Sequence, residues 1–220
     1  MIEAVLFDFG GVVTTSPFDA FARYERANDL PEGLIRTINS TNPDDNAWAK
    51  LERSDVDTNG FVELFEAEAR QRGHAVDGYV VLSLIGGEVR PQMVEAIGRI
   101  RTAGFRTACV TNNFRGRHSP SAARPAPSEL TLDGRHDTSA VMAMFDEVIE
   151  SSVIGIRKPE IEFYRRALAV MAIEAAQAVY LDDLGINLKP AKAMGMTTIK
   201  VVDPDMALAE LGVVLGLPLV

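Results

Sequence analysis

Hydrophobic and polar positions follow three regimes along the chain. A short apolar run, Val5-Leu6-Phe7, stops at Asp8 and is followed by Phe9, Gly10, Gly11 and Val12. Apolar residues bounded by a glycine turn predict a buried strand of a parallel sheet. From about Phe18 to Ile85 the apolar spacing is helical instead. Phe18, Phe21 and Ala22 suit one helix; Leu34, Ile35 and Ile38 a second; Trp48 and Leu51 a third; and Phe61, Leu64 and Phe65 a fourth that closes at Gly73. From Pro91 helix and strand patterns alternate. A helix with Met93, Val94, Ile97 and Ile100 closes at Gly104, and strands follow at Phe105–Val110, Glu147–Ile149, Ala178–Leu181 and Thr197–Val202. Between and after them, helices are predicted from Pro159, over Leu188–Met194 and over Met206–Leu215. The expected fold is α/β, a Rossmann-like parallel sheet with an all-helical insert after its first strand.

Composition narrows the class. The chain has 220 residues, 47% of them hydrophobic, which suffices for one core domain with a smaller insert. A net charge of -9 and a pI near 4.9 argue against nucleic acid as the main partner. They do not oppose a small anionic substrate, for which a few N–H groups and one lysine suffice. The single cysteine, Cys109, lies inside an apolar run and reads as an inert thiol of a reducing compartment. No basic segment followed by an apolar one opens the chain, because Asp8 interrupts the first apolar run, and no stretch approaches a membrane span. A cytoplasmic location and no membrane partner are expected; oligomeric state has no signature.

Two stretches carry weaker signals. Asp55-x-Asp57-x-Asn59-Gly60 with Glu66 has the spacing of a calcium-binding loop, with Val62 at its apolar position. Such loops work in pairs and no second copy occurs, so the favoured alternative is a helix start rich in N-capping side chains. Residues Phe114 to Thr138 contain Pro120, Pro125, Pro127 and four arginines, and read as mobile surface in preference to a lid. His74, His118 and His136 lack metal-ligand spacing and read as surface residues.

The chemistry gathers where strands end. Asp8 follows the first strand, Thr111 and Asn112 the second, and the adjacent carboxylates Asp182 and Asp183 the fourth. Ligands of open α/β sheets bind at such ends, although a strand-end Asp also serves simply to cap a turn. Gly10 and Gly11 let the backbone turn sharply and approach a ligand. Two neighbouring carboxylates raise each other's pKa unless a cation is near, so Asp182-Asp183 points to a metal. Asp8 and Asp183 can share Mg²⁺, a hard ion that takes carboxylates, waters and phosphate oxygens. Lys158, predicted just before a helix, is either a solvated side chain or the cation that offsets a bound phosphate. With that charge neutralised, Asp8 can attack phosphorus and form an aspartyl-phosphate that water releases.

These segments, V-L-F-D-F-G-G-V, V-T-N-N, G-I-R-K-P-E and Y-L-D-D-L-G-I-N, resemble the four motifs of the haloacid dehalogenase (HAD) superfamily. More narrowly, they resemble the phosphatase-type N-terminal domain of soluble epoxide hydrolases and the related domain of acyl-CoA dehydrogenase family proteins. The resemblance spans nearly the whole chain. It implies a core formed by residues 1–15 and 88–220, with residues 16–87 as a helical cap. It further implies that Asp8 is the nucleophile; that Thr111, Asn112, Lys158 and Gly11 contact phosphate, Thr111 and Lys158 also acting in catalysis; and that Asp8, Asp183, Asp182 and the Gly10 carbonyl serve the metal. A small phosphorylated metabolite is the implied substrate. No epoxide-opening domain follows in this sequence, so that activity is not expected.

One position departs from the pattern. Phosphatases of this superfamily mostly carry a second Asp two residues after the nucleophile as acid and base, and this chain has Gly10. A positioned acid contributes about 10²–10⁴-fold. The preferred function is a Mg²⁺-dependent phosphatase. A catalytically weak binding or regulatory protein comes next. A dehalogenase comes last, because halide departure needs neither proton nor metal.

Overall fold

The computed structural model describes residues 1–114 and 138–220. Most of the Phe114–Thr138 stretch, with His118 and His136, lies outside the described residues. Five parallel strands form the sheet: β1 (Ala4–Phe7), β2 (Arg106–Thr111), β3 (Glu147–Glu150), β4 (Ala178–Asp182) and β5 (Thr197–Lys200), in the order β3-β2-β1-β4-β5. The α/β expectation holds. β1 is central, and the chain builds outward from it first on one side and then on the other. This places the switch in winding direction at Asp8.

Side chains alternate across the sheet with period two. Val5, Phe7, Cys109, Val179 and Leu181 pack on one face against α6 (Pro91–Thr102) and α11 (Pro204–Leu215). Leu6, Ala108, Val110 and Tyr180 pack on the other against α9 (Ile161–Met171) and α10 (Gly185–Ala193). With both faces covered, central β1 and β4 are apolar up to their final carboxylates, which is why they read as runs without alternation. Burial pushes the Cys109 thiol up in pKa, in keeping with an inert cysteine.

Between β1 and α6 the chain is helical: α1 (Phe18–Ala27), α2 (Leu34–Ser40), α3 (Ala47–Glu52), α4 (Thr58–Gln71) and α5 (Gly78–Ser83). Their apolar faces form a core of their own around Trp48, Phe61 and Phe65, with the Trp48 and Phe61 rings 4.7 Å apart. Buried Glu25 of α1 caps α2 by accepting from the N–H groups of Gly33 (2.7 Å) and Ile35 (2.8 Å). The two crossings into and out of this block run side by side. Thr15 N–H donates to the Glu88 carbonyl (2.8 Å) and Arg90 N–H to the Val13 carbonyl (2.9 Å). Gly87 permits this, because a Cβ there would lie 2.2 Å from the Thr15 carbonyl oxygen.

One sequence alternative is decided in favour of the preferred reading, and two expectations change. The calcium-loop spacing is a helix start: Asp57 caps α4 by accepting from Gly60 N–H (2.8 Å), and Asn59 to Glu66 lie inside the helix. Asp55 pairs with Arg53 (2.9 Å) and Glu66 with Arg70 (3.5 Å). The helix expected from Pro159 begins at Ile161, because residues 157–160 form a turn closed by Glu160 N–H on the Arg157 carbonyl (2.9 Å). Short helices α7 (Thr138–Met142) and α8 (Ser151–Ile154) flank β3 where no periodicity could develop over so few residues. No helix among the described residues is long and apolar enough to cross a membrane.

Candidate active site

Strand register decides what meets at the carboxyl edge of the sheet. Phe7 is level with Cys109 of β2 and with Leu181 of β4. Asp8 and Asp182 are therefore neighbours at the next level, Asp183 lies one residue beyond, and Thr111 extends past Asp8 on the other side. Asp8 N–H continues the ladder to the Leu181 carbonyl (2.8 Å). One carboxylate oxygen from each of Asp8, Asp182 and Asp183 lies within 4.8 Å of the other two.

After Asp8 the chain makes one wide turn over Phe9–Val13, closed by Thr14 N–H on the Phe9 carbonyl (3.0 Å). Gly11 takes φ +81°, and a Cβ at this residue would stand 2.2 Å from Asp183 Oδ2. The Asp183 carboxylate thus rests in a space that exists only because residue 11 has no side chain. Gly10 differs. Its φ of -70° and ψ of 128° suit any residue, and no atom lies within 4 Å of where its Cβ would be. The left-handed backbone is needed at Gly11 alone.

Lys158 is the buried cation of the site, only 1% exposed. Its Nζ lies 2.8 Å from Asp8 Oδ1 and 3.0 Å from Asp182 Oδ2. Asp8 Oδ1 also accepts from Phe9 N–H (2.6 Å). Burial by itself would lower the Lys158 pKa, but Asp182 and Asp8 outweigh it and hold the ammonium charged. Burial pushes the Asp8 carboxyl well above the usual range, Lys158 opposing it and Asp182 adding to it. Burial and the neighbouring Asp182 push Asp183 up to about 6. Three carboxylates around one ammonium leave negative charge uncompensated, the condition in which a hard divalent cation is stabilised.

Asp182, expected to serve the metal with Asp8 and Asp183, belongs to the same group of carboxylates and is heavily hydrogen-bonded. Its Oδ1 accepts from Leu184 N–H (2.7 Å) and Asn187 Nδ2 (3.1 Å), and its Oδ2 from Lys158 Nζ (3.0 Å), Asn187 Nδ2 (3.0 Å) and the Tyr180 hydroxyl. Both oxygens are engaged by protein donors, Lys158 among them. Asn112 also lies beside the site with its side chain committed. Its Oδ1 accepts from Lys158 N–H (2.8 Å), and its Nδ2 donates to the Lys158 carbonyl (3.0 Å) and to Glu52 (3.1 Å). Buried Thr111 is less constrained, with one long hydroxyl contact to the Asn112 carbonyl (3.4 Å).

Several participants have weak or no sequence signal. Tyr180 shares a sheet face with Asp182 by the period-two rule, so the alternation could have flagged it. Arg90, at the start of α6, has a buried Nη1 without a partner among the described residues, and its charge acts on Asp183. Glu52 and Arg157 meet from positions that no local pattern connects.

Comparison with known proteins agrees with this geometry. The family model for haloacid dehalogenase-like hydrolases matches residues 2–195. The chain is 35% identical to mouse acyl-CoA dehydrogenase family member 10 over 99% of its own length and 19% of that protein. It is 28% identical to pig bifunctional epoxide hydrolase 2 over 99% of its length and 40% of that protein. It thus spans well under half of either of these relatives. It is 33% identical to the sesquiterpene phosphatase astK of Aspergillus oryzae over 97% of both chains. Among solved structures, a HAD family enzyme of Bacteroides thetaiotaomicron in complex with magnesium and inorganic phosphate superposes with a TM-score of 0.60 at 15% identity, covering 91% of this chain and 94% of that one. At that identity the likeness is one of fold.

Proposed function

Because the chain belongs to the haloacid dehalogenase-like hydrolase family, we propose that it hydrolyses small cytoplasmic phosphate monoesters through an aspartyl-phosphate on Asp8. The observation that carries this reading is the gathering of Asp8, Asp182 and Asp183 at the edge of the sheet, where Lys158 pairs with the first two and leaves Asp183 without an ion pair among those described. A dehalogenase needs no divalent cation and gives no reason for Asp183 to be packed against Gly11. The fungal sesquiterpene phosphatase, similar along both whole chains, supports phosphate ester chemistry.

In this reading Asp8 and Asp183, with the Gly10 carbonyl, hold Mg²⁺, which when bound neutralises phosphate charge and orients the ester. Their hard oxygen donors suit that ion, and Gly11 leaves room for the Asp183 carboxylate. Lys158 offsets further charge on the phosphoryl oxygens, and the Thr111 hydroxyl and the N–H groups of the turn after Asp8 receive those oxygens. The Asp8 carboxylate attacks phosphorus, a new O–P bond forms, and the ester O–P bond breaks, its electron pair leaving with the alcohol oxygen, which takes a proton from solvent. Water then attacks the phosphorus, regenerates Asp8 and releases inorganic phosphate. Asp182, Asn112, Asn187 and Tyr180 act through Lys158 by fixing its position. The helical block, residues 16–87, is the cap that covers the site and selects the ester.

Gly10 supports a second reading, a weakly catalytic binding protein, since no carboxylic acid stands there to protonate the leaving group. Turnover of a panel of phosphorylated metabolites with and without Mg²⁺ separates the two. Mg²⁺-dependent phosphate release from any member supports the phosphatase. Tight binding of a phosphorylated compound without release overturns it in favour of the binding protein.

A further inference from the structure

A buried ion pair joins the helical block to the loop that carries Lys158. Glu52 ends α3, and its Oε2 accepts from Arg157 Nε at 2.5 Å and from Asn112 Nδ2 at 3.1 Å. Both charged side chains are largely withdrawn from solvent, at 15% and 16% exposure. Arg157 also donates through Nη1 to the Pro43 carbonyl in the same helical block (2.8 Å). A second tie, from Ser54 Oγ to the Ser152 carbonyl (3.0 Å), runs alongside.

The geometry of Asn112 gives this pair its meaning. One amide group grips the Lys158 peptide at both ends, accepting from its N–H and donating to its carbonyl. An asparagine amide has two orientations that differ by exchange of oxygen and nitrogen. Only the observed one satisfies Lys158, and the Glu52 carboxylate, an acceptor alone, enforces it by demanding a donor. Arg157 holds Glu52 in place and is itself the residue before Lys158. The contacts form a closed ring: helical block, Glu52, Asn112, the Lys158 backbone, Arg157 and back to Glu52.

We propose that Glu52 is a positioning residue, through which docking of the helical block sets the backbone of Lys158 and so the place of its ammonium beside Asp8. This deepens the phosphatase reading and rests on it for the role of Lys158, but the positional claim can be measured without turnover. Buried pairs are costly to break from one side because a charge is left unpartnered, so separation of the helical block from the core is linked to loosening of the Lys158 loop.

The test uses the full chain with Glu52→Ala, Arg157→Ala and the double substitution. The Lys158 amide, which donates to Asn112, should lose hydrogen-exchange protection at least tenfold in each single variant, while amides inside β1 and β4 keep theirs. The double variant should resemble the singles, since both act through one ring. In parallel, kcat on p-nitrophenyl phosphate should fall about tenfold with little change in KM, and Glu52→Gln, whose oxygen can still accept from Asn112, should recover part of the loss. Unchanged Lys158 protection in Glu52→Ala, or losses that add in the double variant, would overturn the proposal. If the wild-type chain releases no phosphate while the amide protection behaves as described, the phosphatase reading alone falls.

Discussion

Gly11 and Asp183 fit together through an absent side chain: a Cβ at residue 11 would stand 2.2 Å from Asp183 Oδ2. Gly11→Ala therefore imposes two penalties. The left-handed backbone costs a non-glycine residue about 1–2 kcal/mol, and the added methyl drives the carboxylate off its place. The expected outcome is a lowered Tm together with Mg²⁺ affinity reduced about 10–100-fold, the range for disturbed ligand support. Calorimetric titration with Mg²⁺ reads it, and undiminished affinity would remove Asp183 from the metal site.

Asp8→Asn tests the nucleophile. The amide oxygen can still accept from Phe9 N–H and Lys158, and loss of a carboxylate relieves the crowding of negative charge. Phosphate release should drop by about 10³-fold or more, with Tm unchanged or raised. Retained turnover in a folded variant would exclude covalent catalysis by Asp8.

Lys158→Met removes the single ammonium between two buried carboxylates. Leaving such charges unpartnered costs about 3–5 kcal/mol. Asp8, already raised by burial and now without the opposing Lys158 charge, then gains from protonation, so the deficit in Tm should shrink as pH is lowered. Vanadate affinity should fall by about tenfold or more as well. Unaltered vanadate binding would place Lys158 outside the phosphate site.

Protons and metal should compete. Asp183, pushed up to about 6, takes up a proton more readily folded than unfolded, so its contribution favours the metal-free fold at low pH and is lost as pH rises through that value. The rise in Tm on adding Mg²⁺ should therefore be larger at about pH 7.5 than at about pH 5, because at the lower pH the ion must displace a proton. Differential scanning at both pH values measures this, and equal increments would mean that Asp183 takes no part.

Gly10→Asp restores the acid that the family usually has at this point. The backbone there is ordinary and the space beside it empty, so the variant should fold as well as the wild type. The wild type should favour aryl phosphates, whose phenolate leaves unaided. The variant should raise alkyl phosphate turnover by about tenfold or more, within the reach of general acid catalysis, and aryl turnover less. A folded variant with no gain on alkyl esters would place the acid elsewhere.

Much of this arrangement was legible in the sequence for physical reasons. Strands buried on both faces write continuous apolar runs, and a charged residue can end such a run only at the sheet edge, which marks Asp8 and Asp182-Asp183 in the sequence itself. Lys158 could be named but not placed, because its loop turns two residues longer than the helix signal of Pro159 suggested. Asp182 and Asp183 could not be told apart, since adjacent residues differ in role only once their hydrogen bonds are known. The calcium spacing at Asp55 to Glu66 left two readings open because capping and metal binding draw on the same short acidic side chains, and the favoured one, a helix start, is the one observed. The Glu52–Arg157 contact was invisible, since the two residues lie far apart in the chain and meet only after the helical block has docked.

The paired crossings at Val13–Thr15 and Glu88–Arg90 have a consequence for how such proteins diversify. The way out of the sheet and the way back lie one backbone hydrogen bond apart. Any length of chain can be threaded between them without displacing a strand, and a tight two-residue turn would reseal the gap. The helical block is thus an exchangeable cassette. A graft of another helical hairpin onto these two points would meet a sheet edge already carrying Asp8, Lys158 and Asp183, and would have to bring its own acceptor for Asn112 and Arg157 in place of Glu52.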